Sequence, residues 1–155
     1  MKIDYLKNYA DLIPLIAKWH FDQWGPSTIE PQKTVEWRMA DLKEHVNQST
    51  LPITFVAFSE SVPVGSASLT IYDLQIRQNL SPWLSTVFVL PEHRNKGIGS
   101  ALSKHVVEKA RALNFPRLYL FTPDQVNFYS RLGWKIFEEV VTHGHEYTIM
   151  NIETK

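Results

Sequence analysis

The sequence predicts an α/β fold of the mixed α+β kind, with a twisted, mostly antiparallel central sheet of about six to seven strands and helices on both faces. Two observations support this fold class. Apolar residues recur at helical spacing between about residues 11 and 46, and the spacing becomes strand-like from residue 53. Residues 83–121 then follow a strand–helix–strand pattern, which requires a parallel crossover between the hairpins on either side.

Composition limits the classes of function. The chain has 155 residues with 16 basic and 16 acidic side chains, so its net charge is zero, which argues against nucleic acid as a partner. It contains no cysteine, which excludes disulfides, cysteine-bound zinc and a thiol nucleophile. No apolar run is long enough for a membrane span, and the first residues lack the apolar core of a signal peptide. We therefore expect one domain over residues 1–155, located in the cytoplasm and without a membrane partner.

The elements of the first half follow from spacing and turn residues. Leu12, Ile16 and Trp19 are three or four residues apart and predict one helix, and Val35, Met39, Leu42 and Val46 do the same for a second. The predicted elements are a strand over residues 2–6, a helix over residues 11–23, a helix from about Pro31, and strands over residues 53–58 and 64–72.

The second half begins with a polar connection over residues 73–82. Ile98, Leu102 and Val106 predict a helix from Gly97, directly after an apolar, β-branched strand that Pro91 closes. The predicted elements are strands over residues 83–90, 118–121, 134–141 and 146–152, with helices from Gly97 and over residues 125–132.

A glycine pair marks the passage from strand to helix. Gly97 and Gly99 have no side chains to keep a phosphate away from the first, unpaired N–H groups of the helix. Arg94 and Lys96 add positive charge to the same turn. The alternative is a tight turn without a ligand, because a glycine pair alone is a weak signal. The Walker pattern is absent, and Leu102 stands where the dinucleotide fingerprint needs a small residue.

Three segments resemble one family, the GCN5-related N-acetyltransferases (GNAT). Residues 94–99, Arg-Asn-Lys-Gly-Ile-Gly, fit its Gln/Arg-x-x-Gly-x-Gly/Ala signature for the acetyl-CoA pyrophosphate. Residues 127–134, Asn-Phe-Tyr-Ser-Arg-Leu-Gly-Trp, resemble a later segment of the family, and residues 87–92 resemble the strand before the phosphate turn. The resemblance covers nearly the whole chain and implies a GNAT-like fold, acetyl-CoA as the acetyl donor and N-acetyltransferase activity.

The resemblance also implies where the donor is held. The pyrophosphate is expected at the glycine turn, and the pantetheine arm along the strand that leads into it. By the same resemblance, Asn127 is expected to hydrogen-bond to the arm near its thiol end, and the alternative is an exposed helix residue or a local cap. The expected acetyl-CoA contacts are Val87, Val89, Leu90, Arg94, Asn95, Lys96, Gly97, Ile98, Gly99, Ser100, Asn127 and Tyr129.

Two catalytic roles come with the resemblance. Tyr129 matches the general acid that protonates the departing thiolate, and a phenol is a reasonable donor for that purpose. The alternative is a tyrosine that packs on Leu132 without donating. The backbone N–H near Val89 is expected to stabilise the oxyanion. With no cysteine for a covalent intermediate, direct transfer in a ternary complex is favoured.

The expected general base is missing. Many relatives carry a glutamate on the strand before the phosphate turn, whereas residues 84–88 contain no carboxylate. Water held by Ser85, Thr86 or a backbone carbonyl could relay the proton, and Asp73, Glu30, His143 and His145 are side-chain alternatives. This gap motivates a second hypothesis, a non-catalytic module of the same fold that binds or senses acyl-CoA.

The acceptor is expected to be a primary amine of a small molecule or a peptide. The aromatic segment around His20 and Trp24 is a candidate wall of its pocket. His143 and His145 lack a third ligand, which favours a hairpin turn and no metal. The chain could also form a homodimer. The candidate acceptor residues are Trp24, Glu30, Asp73, Trp83, Ser85 and His143.

Overall fold

The structure is a computed structural model, and it describes residues 1–25 and 32–155. The strands are β1 (Lys2–Tyr5), β2 (Ile53–Ser59), β3 (Val62–Thr70), β4 (Trp83–Val89), β5 (Arg117–Thr122), β6 (Lys135–Thr142) and β7 (His145–Glu153). The α-helices are α1 (Ile13–Trp24), α2 (Val35–Lys43), α3 (Ile98–Ala112) and α4 (Val126–Arg131), and short 3-10 helices cover Leu6–Leu12, Gln75–Arg77 and Pro91–His93. Over the described ranges, no helix combines the length and the apolar character needed to cross a membrane.

The strands form one sheet in the order β1-β2-β3-β4-β5-β7-β6. Neighbouring strands are antiparallel except for β4 and β5, which are parallel and are joined in the chain by α3. The predicted mixed, mostly antiparallel sheet with a central crossover is confirmed.

Helices cover both faces of the N-terminal part of the sheet. Successive side chains of a strand point to opposite faces, and β2 shows the result. Phe55 and Ala57 belong to a core cluster with Leu102 and Val106 of α3. Val56 and Phe58 belong to a second cluster with Ile16 and Trp19 of α1. Residues 53–58 of β2 are therefore all buried, because the strand is covered on both faces.

The first helices differ from their predicted bounds. The chain between β1 and α1 forms a 3-10 helix, so α1 starts at Ile13, with Pro14 in its first turn. Helix α2 starts at Val35, where the Thr34 side chain accepts a hydrogen bond from the Trp37 N–H at 3.1 Å. The predicted start near Pro31 lies outside the described residues. Helix α2 ends at Lys43, so Val46 packs on the core from the following turn.

Strand β4 is irregular at the place that matters for the site. Ser66 of β3 faces Phe88, whereas Ser68 faces Ser85, so β4 carries one extra residue in this interval. Thr86 lies in the interval with a φ of 49°. Beyond this bulge β4 leaves its parallel neighbour, because Trp83 and Tyr119 are the pair that links β4 to β5. A gap therefore opens between β4 and β5 beside the bulge.

Candidate functional site

The glycine turn ends in a helix whose first amides point outward. Gly97 caps α3 with a φ of 83°, a left-handed conformation that glycine adopts without strain. The Ala101 N–H donates to the Gly97 carbonyl at 3.0 Å. The amides of residues 98–100 therefore precede the first hydrogen bond of the helix, which is the arrangement that binds anions.

Gly99 lies where three segments of the chain meet. A Cβ atom at this position would lie 3.6 Å from Cζ of Phe128 on α4 and 3.8 Å from Cγ2 of Val89 on β4. These are ordinary contact distances, so a glycine leaves a shallow space against both elements. The glycine turn, the end of β4 and the tyrosine-bearing helix, which are separate in sequence, thus lie next to one another beside the gap between β4 and β5.

Val89 directs its backbone toward the gap. The Leu90 N–H donates to the Val64 carbonyl at 2.9 Å, so residue 90 faces β3. In an antiparallel pair, the backbone groups of the preceding residue point to the opposite side. The Val89 N–H therefore points toward the side of β5, as a donor to an oxyanion would have to.

Arg94 fixes the end of β4. Its Nε donates to the Val89 carbonyl at 2.8 Å, and its Nη2 donates to Oε1 of Gln23 at 3.2 Å. The guanidinium also lies 5.7 Å from the centre of the Phe88 ring. Arg94 thus ties the phosphate turn to β4 and to the end of α1, with its positive charge beside the turn.

Tyr129 lies on α4, on the C-terminal side of the gap. Its ring packs edge-on against Phe128 and Trp134, with ring centres 4.9 and 6.1 Å away. Burial raises the pKa of Tyr129 to about 12, so the phenol keeps its proton throughout the physiological range. Asn127, two residues earlier, is exposed on the same short helix.

A polar cavity with a volume of about 340 Å³ lies beside the bulge of β4. Ser85 and Thr86 of β4 and Asp73 of the connection between β3 and β4 line it, together with residues of α1 and α2. Of the predicted acceptor residues, the structure brings Asp73 and Ser85 into this cavity.

The charged groups of the cavity have shifted pKa values. Desolvation raises the pKa of Asp73 to about 7, although the positive charges of Lys33 and Arg38 act to lower it. Asp73 as a residue is exposed, so solvent screens part of this effect. Desolvation, with the nearby charge of Arg38, lowers the pKa of His20 to about 3, so His20 is neutral at physiological pH. Burial acts to raise the pKa of Asp41, but its hydrogen bond with His45 and the surrounding positive charges bring it below its usual value.

The other predicted acceptor residues lie elsewhere. Trp83 is fully buried in a core cluster and its Nε1 donates to the Leu80 carbonyl at 2.7 Å, so this side chain does not reach the cavity. His143 is exposed in the turn after the edge strand β6 and is not part of the lining. Trp24 is 43% exposed and its ring centre lies 5.4 Å from that of His20, a cavity residue. Glu30 lies outside the described residues. Within residues 1–25 and 32–155 there is no group of three potential metal ligands.

The cavity also contains residues that the sequence reasoning did not select. Arg38 and Asp41 lie on α2, and Lys33 and His45 lie just before and just after this helix. The available signal was the i,i+4 spacing of Asp41 and His45, which places a carboxylate and an imidazole on one helix face.

Several solved acetyltransferase structures share the fold of this chain. The crystal structure of an aminoglycoside 6'-N-acetyltransferase complexed with coenzyme A matches with a TM-score of 0.76 and 16% identity, covering 100% of this chain and 98% of that one. Ribosomal-protein-alanine N-acetyltransferase from Brucella melitensis matches with a TM-score of 0.75 and 19% identity, covering 99% of both chains. The yncA structure from Salmonella typhimurium with acetyl-CoA has a TM-score of 0.71 and 19% identity, covering 99% and 94%. At these identities the matches establish the fold.

Two sequence matches go further. N-alpha-acetyltransferase 80 of Mus musculus is 30% identical over 98 residues, which is 61% of this chain and 31% of that protein. The chain therefore matches about a third of the length of this curated relative. The family model described as "Acetyltransferase (GNAT) family" matches residues 13–134, most of the chain and both motif segments. The chain belongs to the GNAT acetyltransferase family.

Proposed function

We propose that this protein transfers the acetyl group of acetyl-CoA directly to a primary amine of a small molecule or peptide, within a ternary complex. The observation that carries the proposal is the position of the β4 bulge. On one side of it lies the gap lined by Val89, Gly99 and Phe128. On the other side lies the polar cavity lined by Ser85 and Asp73. A donor and an acceptor bound on the two sides would meet at β4.

Each donor-side residue has a role in this proposal. When bound, acetyl-CoA supplies the activated acetyl thioester. The amides of residues 98–100 hold the pyrophosphate, with Arg94 and the turn residues Asn95 and Lys96 beside it. Val87 and Leu90 flank the pantetheine arm, and Asn127 hydrogen-bonds to it.

Two groups act on the reacting atoms. The Val89 N–H stabilises negative charge as it develops on the thioester oxygen, and a donor of this kind contributes about 3–4 kcal/mol. Tyr129 donates its proton toward the departing sulfur.

The acceptor side suits an ammonium group on a small molecule. The cavity volume of about 340 Å³ falls in the range of about 300–1,000 Å³ typical of small-molecule sites. Asp73 provides a carboxylate whose raised pKa would fall again on contact with a cation, because an opposite charge favours the ionised form. Ser85 offers a hydroxyl, and Trp24 could contact a larger acceptor at the His20 wall. These features support an amine that binds as its ammonium form.

One observation favours the alternative, a module that binds acyl-CoA without turnover. Strand β4 carries no carboxylate at all, so the base used by many relatives is absent from its position. Two features weigh against this alternative. Tyr129 is retained beside the gap, and Asp73 lines the cavity with a pKa suited to proton transfer.

A binding assay and a turnover assay test the proposal together. Acetyl-CoA at about a hundred times its Kd adds about 2.7 kcal/mol to the free energy of unfolding, which should raise the Tm by about 5–10 °C. A panel of primary amines, including aminoglycosides, polyamines and peptides with free N-termini, is then assayed for CoA release above hydrolysis. No Tm shift at millimolar acetyl-CoA contradicts the proposal. A shift without CoA release from any amine supports the acyl-CoA module instead.

A further inference from the structure

A line of polar side-chain contacts runs from α2 through the sheet to the β4 bulge, and its last three steps are hydrogen bonds. It begins with an ion-pair contact, in which Oδ2 of Asp41 lies 3.4 Å from Nε2 of His45. Nδ1 of His45 lies 2.9 Å from Oγ1 of Thr54 on β2. That hydroxyl lies 2.6 Å from Oγ of Ser68 on β3, and Oγ1 of Thr86 on β4 lies 3.1 Å from Ser68. We call these five residues the hydroxyl–imidazole chain.

The middle of the chain is inside the protein, and its two ends are not. Thr54 and Ser68 are fully buried, and His45 is 7% exposed. The Asp41 side chain is 44% exposed, and Thr86 lines the acceptor cavity. A bound acceptor would displace water from the cavity, but it could not interrupt hydrogen bonds that lie within the sheet.

The Asp41 carboxylate fixes the direction of every hydrogen bond in the chain. An ionised carboxylate can only accept, so Nε2 of His45 carries the hydrogen and Nδ1 accepts from Thr54. A hydroxyl has one hydrogen to donate, so Thr54 must accept from Ser68, and Ser68 must accept from Thr86. The geometry at the last step agrees, with Thr86 donating to Ser68. Thr86 therefore presents only acceptor lone pairs to the cavity, where an amine N–H would need them.

We propose that the hydroxyl–imidazole chain takes a proton from the bound ammonium group before attack and so replaces the carboxylate that β4 lacks. This proposal rests on the proposed acetyltransferase function. One N–H bond of the ammonium group breaks as that hydrogen bonds to the Thr86 oxygen, while Thr86 gives its own hydrogen to Ser68. Ser68 in turn gives its hydrogen to Thr54, and Thr54 to Nδ1 of His45. The Nε2 hydrogen of His45 passes to Asp41 and from there to solvent. One proton enters the chain and one leaves it, and the neutral amine then attacks the thioester. The second proton that the nitrogen loses on forming the amide balances the proton that Tyr129 gives to the sulfur, and no oxidation or reduction occurs.

The charges around the chain keep its outer end ionised. Asp41 feels the positive charges of Lys33 and Arg38 as well as the hydrogen bond from His45. His20 of α1 faces the same groups, and its own strongly lowered pKa keeps it neutral and out of competition for the proton. Asp73 lines the same cavity but takes no part in these hydrogen bonds.

Two serines on β3 provide a matched test. Ser68 and Ser66 are both fully buried, and each hydrogen-bonds to a side chain of the polar interior. Ser66 bonds to His20 at 3.0 Å and is outside the chain. Ser68→Ala should lower kcat for the best amine at least tenfold, because it breaks the proton-transfer path. Intact paths for proton transfer typically raise the rate by about 10²–10⁴-fold. Ser66→Ala should stay within about twofold of wild type, and the acetyl-CoA-induced Tm shift should be unchanged in both variants.

The pH profile separates proton transfer from general damage. Above the pKa of the acceptor amine the substrate arrives already neutral, so the deficit of Ser68→Ala should shrink there. A loss that is equal at every pH, or full activity of Ser68→Ala, overturns the chain. If Ser68→Ala does not fold, Thr54→Val removes a hydroxyl of the chain at nearly constant shape. Absence of CoA release by the wild type with every amine overturns the acetyltransferase function instead, so the two failures are distinct.

A second measurement does not depend on turnover. The ¹⁵N chemical shifts of the His45 ring in the wild-type protein should show hydrogen on Nε2 and a bare, accepting Nδ1. Asp41→Asn removes the obligate acceptor and should change this tautomer balance. A wild-type ring with its hydrogen on Nδ1 reverses the direction of the hydrogen bonds and overturns the proposal.

Discussion

The donor side and the acceptor side of β4 are built in different ways. On the donor side, the glycine turn and the start of α3 form one short segment, residues 94–100, and it offers mostly backbone N–H groups. On the acceptor side, the lining comes from α1, α2, the end of β3 and the β4 bulge, and it offers side chains. A site made of backbone needs a particular local conformation, and that need leaves a sequence pattern. A site made of side chains from several distant segments leaves only short local patterns, such as the i,i+4 spacing of Asp41 and His45.

The largest effect that tests this comparison is expected at Tyr129. Tyr129→Phe should lower kcat by about 100-fold while the Kd for acetyl-CoA stays within about threefold, because the ring remains and the donor proton is lost. With its pKa near 12, the phenol is a weaker acid than an alkyl thiol near 8.5. Complete proton transfer from Tyr129 to the free thiolate would therefore be uphill. Tyr129 instead stabilises the transition state by hydrogen-bonding to the sulfur as its negative charge develops.

Single-turnover kinetics and a separate acetyl-CoA titration measure the two quantities. The matched control is Tyr147→Phe, a partly buried tyrosine on β7 that packs against Phe121 at a ring distance of 5.4 Å. It should leave both quantities at the wild-type level. An equal loss of affinity and turnover in Tyr129→Phe would mean that Tyr129 binds acetyl-CoA and does not act as the general acid.

The sequence predicts the locally determined features of the molecule better than the features that depend on contacts between distant segments. The order of strands and helices, the parallel crossover and the glycine turn were all predictable, because each depends on local spacing or on a residue with special backbone freedom. The β4 bulge was not, because Thr86 has an ordinary side chain and its φ of 49° is imposed by pairing with β3. Asp41 and His45 were missed because their partners Thr54 and Ser68 come from distant strands. Trp83 was misplaced because alternation puts it on the same sheet face as Ser85, whereas its ring packs farther along that face, with Val140 and Ile149 of β6 and β7.

The next effect concerns the donor side alone. Gly99→Val places a branched side chain in the space between Val89 and Phe128, where the glycine Cβ position is already at contact distance. The backbone amides would then be held away from a phosphate. Acetyl-CoA affinity should fall by about 30-fold, about 2 kcal/mol, in line with the loss of hydrogen bonds to a charged group.

Isothermal titration with acetyl-CoA provides the measurement. Ala112→Val, at the exposed end of the same helix, introduces the same residue type away from the gap and should bind acetyl-CoA like the wild type. Unchanged affinity in Gly99→Val would mean that the phosphate does not approach this turn, so the backbone N–H groups of residues 98–100 would not be its binding site.

The smallest effect concerns the acceptor side and has a pH signature. Asp73 has a folded-state pKa of about 7 against an ordinary value of 3.8, so between these values the folded protein binds more protons than the unfolded chain. The free energy of unfolding therefore falls as the pH rises through this window. Asp73→Asn has no carboxylate to ionise, so its Tm should exceed that of the wild type at pH 8, and the difference should vanish toward pH 4.

The same substitution should lower kcat/KM for the amine by about tenfold, since a hydrogen bond to a charged group is lost, and it should leave acetyl-CoA affinity unchanged. Asp11→Asn, at an exposed position of the 3-10 helix before α1, is the control and should leave turnover unchanged. If Asp73→Asn instead weakened acetyl-CoA binding as strongly as amine use, the cavity and the gap would act as one site. The two sides of β4 could then not be changed independently. If only amine use falls, the acceptor side can diverge among relatives while the donor turn stays fixed.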